Sequence, residues 1–207
     1  MEDVLDLYSE PYDRQQPLVC FDESPVQLVS ETRSPLVVRP GQAACYDYEY
    51  KREGTANLFL LVQPLLGWRE VNVTAHRTKQ DFAQQMKLLV DVYFPEAKLI
   101  RMVVDNLNTH TPAALYEAFE PEEARRITRK LEFHYTPKHG SWLNMAECEF
   151  AVLNAQCLDR RIADVETLQR EIEAWQSKRN EQKAKIDWRF DTGAARVKLK
   201  RLYPSLK

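Results

Sequence analysis

The spacing of the apolar residues changes near Thr78, and this change limits the fold more than any other feature of the 207-residue chain. Before Thr78, short apolar or alternating runs are typical of strands. After it, runs with helical spacing alternate with further strand-like runs. An initial group of strands followed by such alternation predicts an α/β protein, with a mixed sheet and helices on its faces.

The predicted elements follow from these runs and from their boundary residues. Helix 78–94 begins with Thr78 and Asp81 at capping-box spacing, and a long helix starting near residue 140 takes Ser141 as its cap. The predicted strands cover residues 18–21, 36–38, 57–62, 69–74, 99–104 and 131–135. The further predicted helices cover residues 113–119, 122–130 and 165–185, with a short helix in the basic remainder.

The distribution of charge says more than its total, which is −2. Residues 178–207 contain ten Lys and Arg against three Asp and Glu, so the rest of the chain is acidic. This basic segment permits a contact with nucleic acid, although a solvated tail fits the charge equally well. No apolar run approaches the ~18 residues of a transmembrane helix, and the acidic start has no signal-peptide pattern. We therefore expect a cytoplasmic protein without a membrane partner.

Two of the predicted strands end directly in an aspartate, Asp22 and Asp105. Acids at the carboxyl ends of adjacent strands repel each other unless a proton or a cation lies between them. Mg²⁺ prefers such oxygen ligands, and a pair of ions can catalyse phosphodiester cleavage. The alternative is that each Asp only shapes a turn. A third acid could come from the long helix, where Glu147 and Glu149 flank the apolar stripe on opposite sides; spacing does not choose between them.

Two segments around these acids form a distinctive motif, Val-Val-Asp-Asn-Leu-Asn-Thr-His at 103–110 and Tyr-Thr-Pro-Lys-His-Gly-Ser-Trp-Leu-Asn-Met-Ala-Glu at 135–147. The combination resembles the DDE transposases of bacterial insertion sequences, in the branch related to the mariner superfamily. The Asp22-Glu23 pair fits the first acid of that family. The segments 54–59, 187–190 and 199–204 are also similar to it, so the resemblance covers roughly residues 18–204.

The resemblance implies an RNase H-like fold, a mixed five-stranded sheet flanked by helices. It also implies that Asp22, Asp105 and Glu147 are catalytic and hold two Mg²⁺ or Mn²⁺ ions. The family's third acid stands three residues after a Leu-Asn pair, here Leu143-Asn144, so Glu149 becomes a structural neighbour. The implied activity is DNA cleavage at transposon ends, followed by transfer of the 3′-hydroxyl into target DNA, usually at TA sites.

Several polar residues near these acids are candidates for orienting a carboxylate or for contacting DNA. Hydrogen bonds that shape the loops, or plain solvation, are the alternative for each of them. The candidates are Asn106, His110, Lys138, His139 and Asn144.

The expected partners follow from the same resemblance: double-stranded DNA, as transposon ends and target, and further copies of the chain in a homodimer or larger synaptic complex. Family members carry helix-turn-helix segments before the catalytic domain, whereas 21 residues precede Asp22 here. We therefore expect a separate helix-turn-helix polypeptide and a location at the nucleoid. An inactive remnant that only binds DNA or dimerises is the alternative. The predicted divisions are a leader (1–17), the catalytic domain (18–163) and a basic helical extension (164–207).

Overall fold

A computed structural model describes residues 1–33, 40–41 and 47–203. Its centre is one five-stranded sheet with the strand order β3-β2-β1-β4-β5. Strand β2 is antiparallel to both of its neighbours, β1 and β3, whereas β1, β4 and β5 run parallel to one another. The mixed sheet is thus confirmed. The bounds are β1 Leu18–Glu31, β2 Tyr50–Gln63, β3 Trp68–Thr74, β4 Ile100–Val104 and β5 Leu131–Tyr135.

Seven α-helices lie in the described part of the chain, and none of them is long and apolar enough to cross a membrane. The predicted capping box at Thr78 and Asp81 is confirmed at the start of α2. The bounds are α1 Glu2–Ser9, α2 Lys79–Leu88, α3 Pro112–Ala118, α4 Pro121–Thr128, α5 Met145–Leu153, α6 Val165–Glu181 and α7 Thr192–Lys198.

The apolar core has two layers because successive residues of a strand point to opposite faces of the sheet. On β1, Cys20 faces a cluster with side chains of α1, α5 and α6, whereas Phe21 faces a cluster with side chains of α2, α3 and α4. Both residues are fully buried. The sheet is therefore covered by helices on both faces, as the alternation of strands and helices predicted.

The first strand differs from its prediction. It does not end at Asp22 but continues to Glu31, because β2 pairs with it from Cys20, opposite Val62, to Glu31, opposite Tyr50. Pairing with β4 stops at Cys20, so the later part of β1 has a neighbour on one side only, a position that tolerates Pro25. The predicted strand 36–38 lies outside the described residues.

The start of the long helix is also corrected. Residues Ser141–Leu143 form a 3₁₀ turn, and α5 begins only at Met145. Its cap is Asn144 rather than Ser141, since the Asn144 side chain accepts a hydrogen bond from the Ala146 N–H at 3.2 Å. The predicted helix 165–185 ends earlier, at Glu181.

The predicted leader, residues 1–17, contains helix α1, which is part of the folded core. Val4 and Leu5 of this helix are fully buried. The Tyr8 hydroxyl donates a hydrogen bond to the Leu143 carbonyl at 2.7 Å and accepts one from the Met145 N–H at 3.4 Å. The leader therefore supports the segment that starts α5. The division of the chain at residues 17 and 163 stays a prediction.

Candidate active site

Asp22 and Asp105 lie side by side because of the register between two parallel strands. Cys20 of β1 pairs with Val103 of β4, and each aspartate comes two residues later on its strand. Residues two apart on a strand point to the same face. The two aspartates therefore lie at the same level of neighbouring strands, Asp22 within β1 and Asp105 directly after β4.

Helix α5 brings Glu147 to the same edge of the sheet. Its capping residue, Asn144, is fully buried and donates a hydrogen bond from its side-chain amide to the Phe21 carbonyl at 2.7 Å. This bond joins the start of the helix to the residue directly before Asp22. Glu147 lies in the first turn of the helix and is partly buried. The first turn of α5 is thus fixed against β1 at Asp22.

The pKa of Asp22 reflects its burial and the acids near it. Burial raises the pKa of Asp22 to about 7, and the negative charges of Asp105 and Glu147 act in the same direction. A hydrogen bond from the Glu23 N–H at 2.8 Å and the charge of His110 only partly oppose this rise. Burial is thus the main reason that Asp22 resists ionisation, and the neighbouring acids add to it.

His110 joins Asp105 to a fourth acid, Glu23. Its Nδ1 lies 2.6 Å from Asp105 Oδ1, and its Nε2 lies 2.7 Å from Glu23 Oε2. Burial alone would lower the pKa of His110, but the two carboxylates outweigh it and raise this pKa to about 9. Burial likewise acts to raise the pKa of Asp105, yet the bond and charge of His110 bring it below its ordinary value.

Glu23 is the residue of this site that sequence reasoning left without a role. Its side chain is only 3% exposed, and it faces the opposite side of the sheet from Asp22. A strand that ends at Asp22 gives no reason to expect this direction. No local pattern indicated this direction, because the continuation of β1 beyond Asp22, which places Glu23 on the same face as Phe21, depends on pairing with β2.

The other predicted site residues are either hydrogen-bonded within the protein or exposed on a loop. Asn106 donates a side-chain hydrogen bond to the Thr136 carbonyl, which links the loops that follow β4 and β5. Asn144 is the buried cap described above, so both amides shape the protein around the acids. Lys138 and His139 are exposed on the loop that leads to α5.

Glu149 takes no part in this group of acids. It is 1% exposed and is enclosed by two arginines: its Oε1 lies 2.8 Å from the fully buried Arg69 guanidinium and 2.7 Å from that of Arg179. A second bond joins Glu149 and Arg179 at 3.1 Å. This acid is therefore neutralised by the protein itself, as expected for a structural residue.

The donor chemistry of the site fits a hard divalent cation. Asp22, Asp105 and Glu147 provide the carboxylate oxygens that Mg²⁺ prefers, and a cation would offset both the burial of Asp22 and the negative charges beside it. Across residues 1–33, 40–41 and 47–203, however, no three His, Cys, Asp or Glu side chains are already arranged to hold a metal ion.

Comparison with solved structures identifies similar folds. The chain matches the Mos1 mariner paired-end complex with Mn at a TM-score of 0.60 and 18% identity, over 87% of this chain and 54% of that one. The match to the Mos1 transposase paired-end complex with left transposon end has a TM-score of 0.59 and 16% identity, over 88% of this chain and 56% of that one. The match to the Mos1 strand transfer complex has a TM-score of 0.54 and 17% identity, over 87% of this chain and 57% of that one.

These matches establish the RNase H-like architecture of the transposase catalytic domain. The chain spans little more than half the length of the Mos1 chains. Comparison with curated protein sequences gave no match. The sequence model of one family, described as DDE superfamily endonuclease, matches residues 17–169, which include all three acids of the site. The chain therefore belongs to the DDE superfamily of endonucleases.

Proposed function

We propose that this chain is the catalytic domain of a DDE transposase from a bacterial insertion sequence of the mariner-related branch. Its reaction would be metal-dependent cleavage of DNA at transposon ends, followed by transfer of the 3′-hydroxyl into target DNA at TA sites. One observation carries the proposal: the register of β1 and β4 aligns Asp22 with Asp105, and the bond from Asn144 to the Phe21 carbonyl fixes the first turn of α5, which bears Glu147, against the same strand. An acid group of this kind, formed by β1, β4 and α5, is suited to binding cations.

Asp22, Asp105 and Glu147 would be the catalytic ligands of two Mg²⁺ or Mn²⁺ ions. When bound, such ions activate water as a nucleophile and stabilise the leaving oxygen of a phosphodiester. Two of the Mos1 structures were solved with Mn and with Mg. The chain's own contribution is to fix the three acids: the register of β1 and β4 aligns the aspartates, and Asn144 holds the helix that carries Glu147.

The proposed partners are double-stranded DNA and further copies of the chain in a paired-end assembly. The Mos1 structures are transposon-end and strand-transfer complexes. Here Lys138 and His139 are exposed directly before α5, where a phosphate backbone that approaches the acids would pass. A separate helix-turn-helix polypeptide would recognise the transposon ends, and the protein would act at the nucleoid in the cytoplasm.

The second candidate function is an inactive remnant that binds DNA or dimerises without cutting. One observation favours it: among the described residues, no three ligand side chains are arranged to hold a metal ion. In that case the acids at the edge of the sheet would no longer bring a cation and DNA together.

Nicking of supercoiled plasmid DNA with Mn²⁺ tests the proposal, because this assay needs no recognition of transposon ends. The wild-type chain should convert the plasmid to open circles, and Asp105→Asn should not. Asp159→Asn, which changes an exposed aspartate beyond α5, is the matched control and should nick like the wild type. A folded wild type that binds the plasmid and leaves it intact would contradict the proposal and favour the remnant.

A further inference from the structure

We propose that Glu23 and His110 are positioning residues, which hold the Asp105 carboxylate so that one oxygen is occupied and the other faces the cation. The proposal rests on the proposed function, since it assigns the neighbours of a metal ligand. It is carried by the chain of contacts Glu23 Oε2 to His110 Nε2 at 2.7 Å and His110 Nδ1 to Asp105 Oδ1 at 2.6 Å.

The imidazole of His110 cannot turn away from these two acids. The ring is fully buried, with the rings of Phe21 and Phe82 each 5.1 Å away between centroids. The His110 carbonyl accepts a hydrogen bond from the Tyr135 hydroxyl at 2.9 Å, and its N–H donates to the Leu107 carbonyl at 3.0 Å. Backbone and ring are therefore both fixed before any ligand arrives.

The two oxygens of Asp105 have different surroundings. Oδ1 receives the His110 bond and a second one from the Leu107 N–H at 3.2 Å. Among the described residues, Oδ2 accepts no hydrogen bond. Two donors therefore hold Oδ1, and Oδ2 is the oxygen that remains for a cation. A neighbour that orients a metal ligand in this way typically increases metal affinity.

Glu23 acts on Asp105 through His110. Each ring nitrogen of His110 faces one carboxylate oxygen, so the imidazole links Glu23 directly to Asp105. Glu23 is almost fully buried, and its other charged neighbour, Arg77, is 4.0 Å away. Because Glu23 lies on the opposite face of β1 from Asp22, it is placed to hold His110 and not to contact the cation.

Titration of the full chain with MnCl₂ by calorimetry, with and without DNA, tests this assignment. His110→Gln should weaken Mn²⁺ binding about 10- to 100-fold, as is typical for the loss of such a neighbour. The isosteric Glu23→Gln should weaken it less. The double variant should bind like His110→Gln, because Glu23 acts only through the imidazole. Glu70→Gln, on β3 beside Gln176, is the matched control and should bind like the wild type.

A spectroscopic readout separates positioning from a general effect on the fold. A ¹⁵N-histidine-labelled chain should show a low-field proton on His110 Nδ1, which His110→Gln removes and Glu23→Gln shifts. The melting temperature of each variant checks folding. If His110→Gln fails to fold, Glu23→Gln carries the test alone, because it keeps the shape of the side chain.

The outcomes distinguish this proposal from the proposed function. If the wild type binds Mn²⁺ and both folded variants bind it equally well, the positioning role is overturned and the proposed function stands. Additive losses in the double variant would overturn the action of Glu23 through His110. A folded wild type that binds no Mn²⁺, even with DNA, would overturn both proposals together.

Discussion

Helix α5 contributes an acid to two clusters of charged side chains, and the two clusters differ in how far the protein itself neutralises these acids. The arginine cluster is Arg69, Glu149 and Arg179, in which one buried acid has two cationic partners. The carboxylate cluster is Asp22, Asp105 and Glu147; among the described residues, only Asp105 of these three has an ion-pair partner, His110, which it shares with Glu23. Charge that supports the fold is neutralised by the protein, whereas charge that we assign to function is left for a cation.

The helix itself produces this separation. Glu147 and Glu149 are two residues apart, and at about 100° per residue their side chains point to nearly opposite sides of α5. One side faces the edge of the sheet with Asp22 and Asp105, and the other faces β3 and α6. The following predictions compare the two clusters, in order of decreasing effect.

Removal of one acid from the carboxylate cluster should have the largest effect, and it should fall on activity. Glu147→Gln should slow Mn²⁺-dependent plasmid nicking by about a thousandfold or more, because a bound metal contributes several kcal/mol to the transition state. The melting temperature should stay the same or rise, since repulsion with Asp22 is removed. Nicking at the wild-type rate would show that this acid is not a metal ligand.

Removal of the acid from the arginine cluster should instead act on stability. Glu149→Gln leaves the fully buried Arg69 without its carboxylate, and loss of one partner of a buried ion pair costs about 3–5 kcal/mol. Urea unfolding monitored by tryptophan fluorescence measures this change. An exposed pair gives the matched control: Glu117→Gln, which breaks the contact with Lys79, should change the free energy of unfolding by less than about 1 kcal/mol.

The raised pKa of Asp22 should make the metal-free protein less stable as the pH rises. The pKa is about 7 in the folded chain and near 4 in the unfolded chain, so the folded chain retains the proton over this interval. The stabilisation is present below pH 4 and is lost as the pH rises through 7. Between pH 5 and pH 8, the wild type should lose about 2 kcal/mol relative to Asp22→Asn. If the free energies of unfolding of the two proteins change equally with pH, the raised pKa of Asp22 is contradicted.

The smallest of these effects should come from the cap that orients α5. Asn144→Ala removes an N-cap, which costs about 1 kcal/mol of stability, and it also removes the bond to the Phe21 carbonyl. Asp164→Ala removes the N-cap of α6, where Asp164 accepts from the Thr167 N–H at 2.7 Å. Asn144→Ala should lose at least as much stability as Asp164→Ala, because it also leaves the Phe21 carbonyl without its partner, and it alone should slow nicking. If the two variants nick DNA equally well, the Asn144 cap does not help to position Glu147.

Much of this arrangement could be predicted from the sequence where it depends on local spacing. The order of strands and helices follows from the apolar period, and two parallel strands ending in Asp22 and Asp105 indicate a shared edge. The extension of β1 could not be predicted in this way, because residues 22–31 are mostly polar and are held by pairing with β2. Helix α1 was missed because its burial depends on contacts with distant segments such as α7.

The contacts that define the two clusters could not be predicted because they join distant parts of the chain. Glu147 and Glu149 have similar surroundings in the sequence, and only the resemblance to DDE transposases favoured Glu147. In the structure the difference comes from Arg69 and Arg179, which come from β3 and α6. Glu23 and His110 are 87 residues apart, so no local pattern connects them.

Mn²⁺ binding to Glu147→Gln and Glu149→Gln, measured beside the wild type, tests the central claim most directly. The titration is done by calorimetry above pH 7, where Asp22 has lost its proton, and in the presence of DNA. The account predicts about two Mn²⁺ per wild-type chain, at least tenfold weaker binding to Glu147→Gln, and unchanged binding to folded Glu149→Gln. Weak binding to Glu149→Gln with unchanged binding to Glu147→Gln would contradict it.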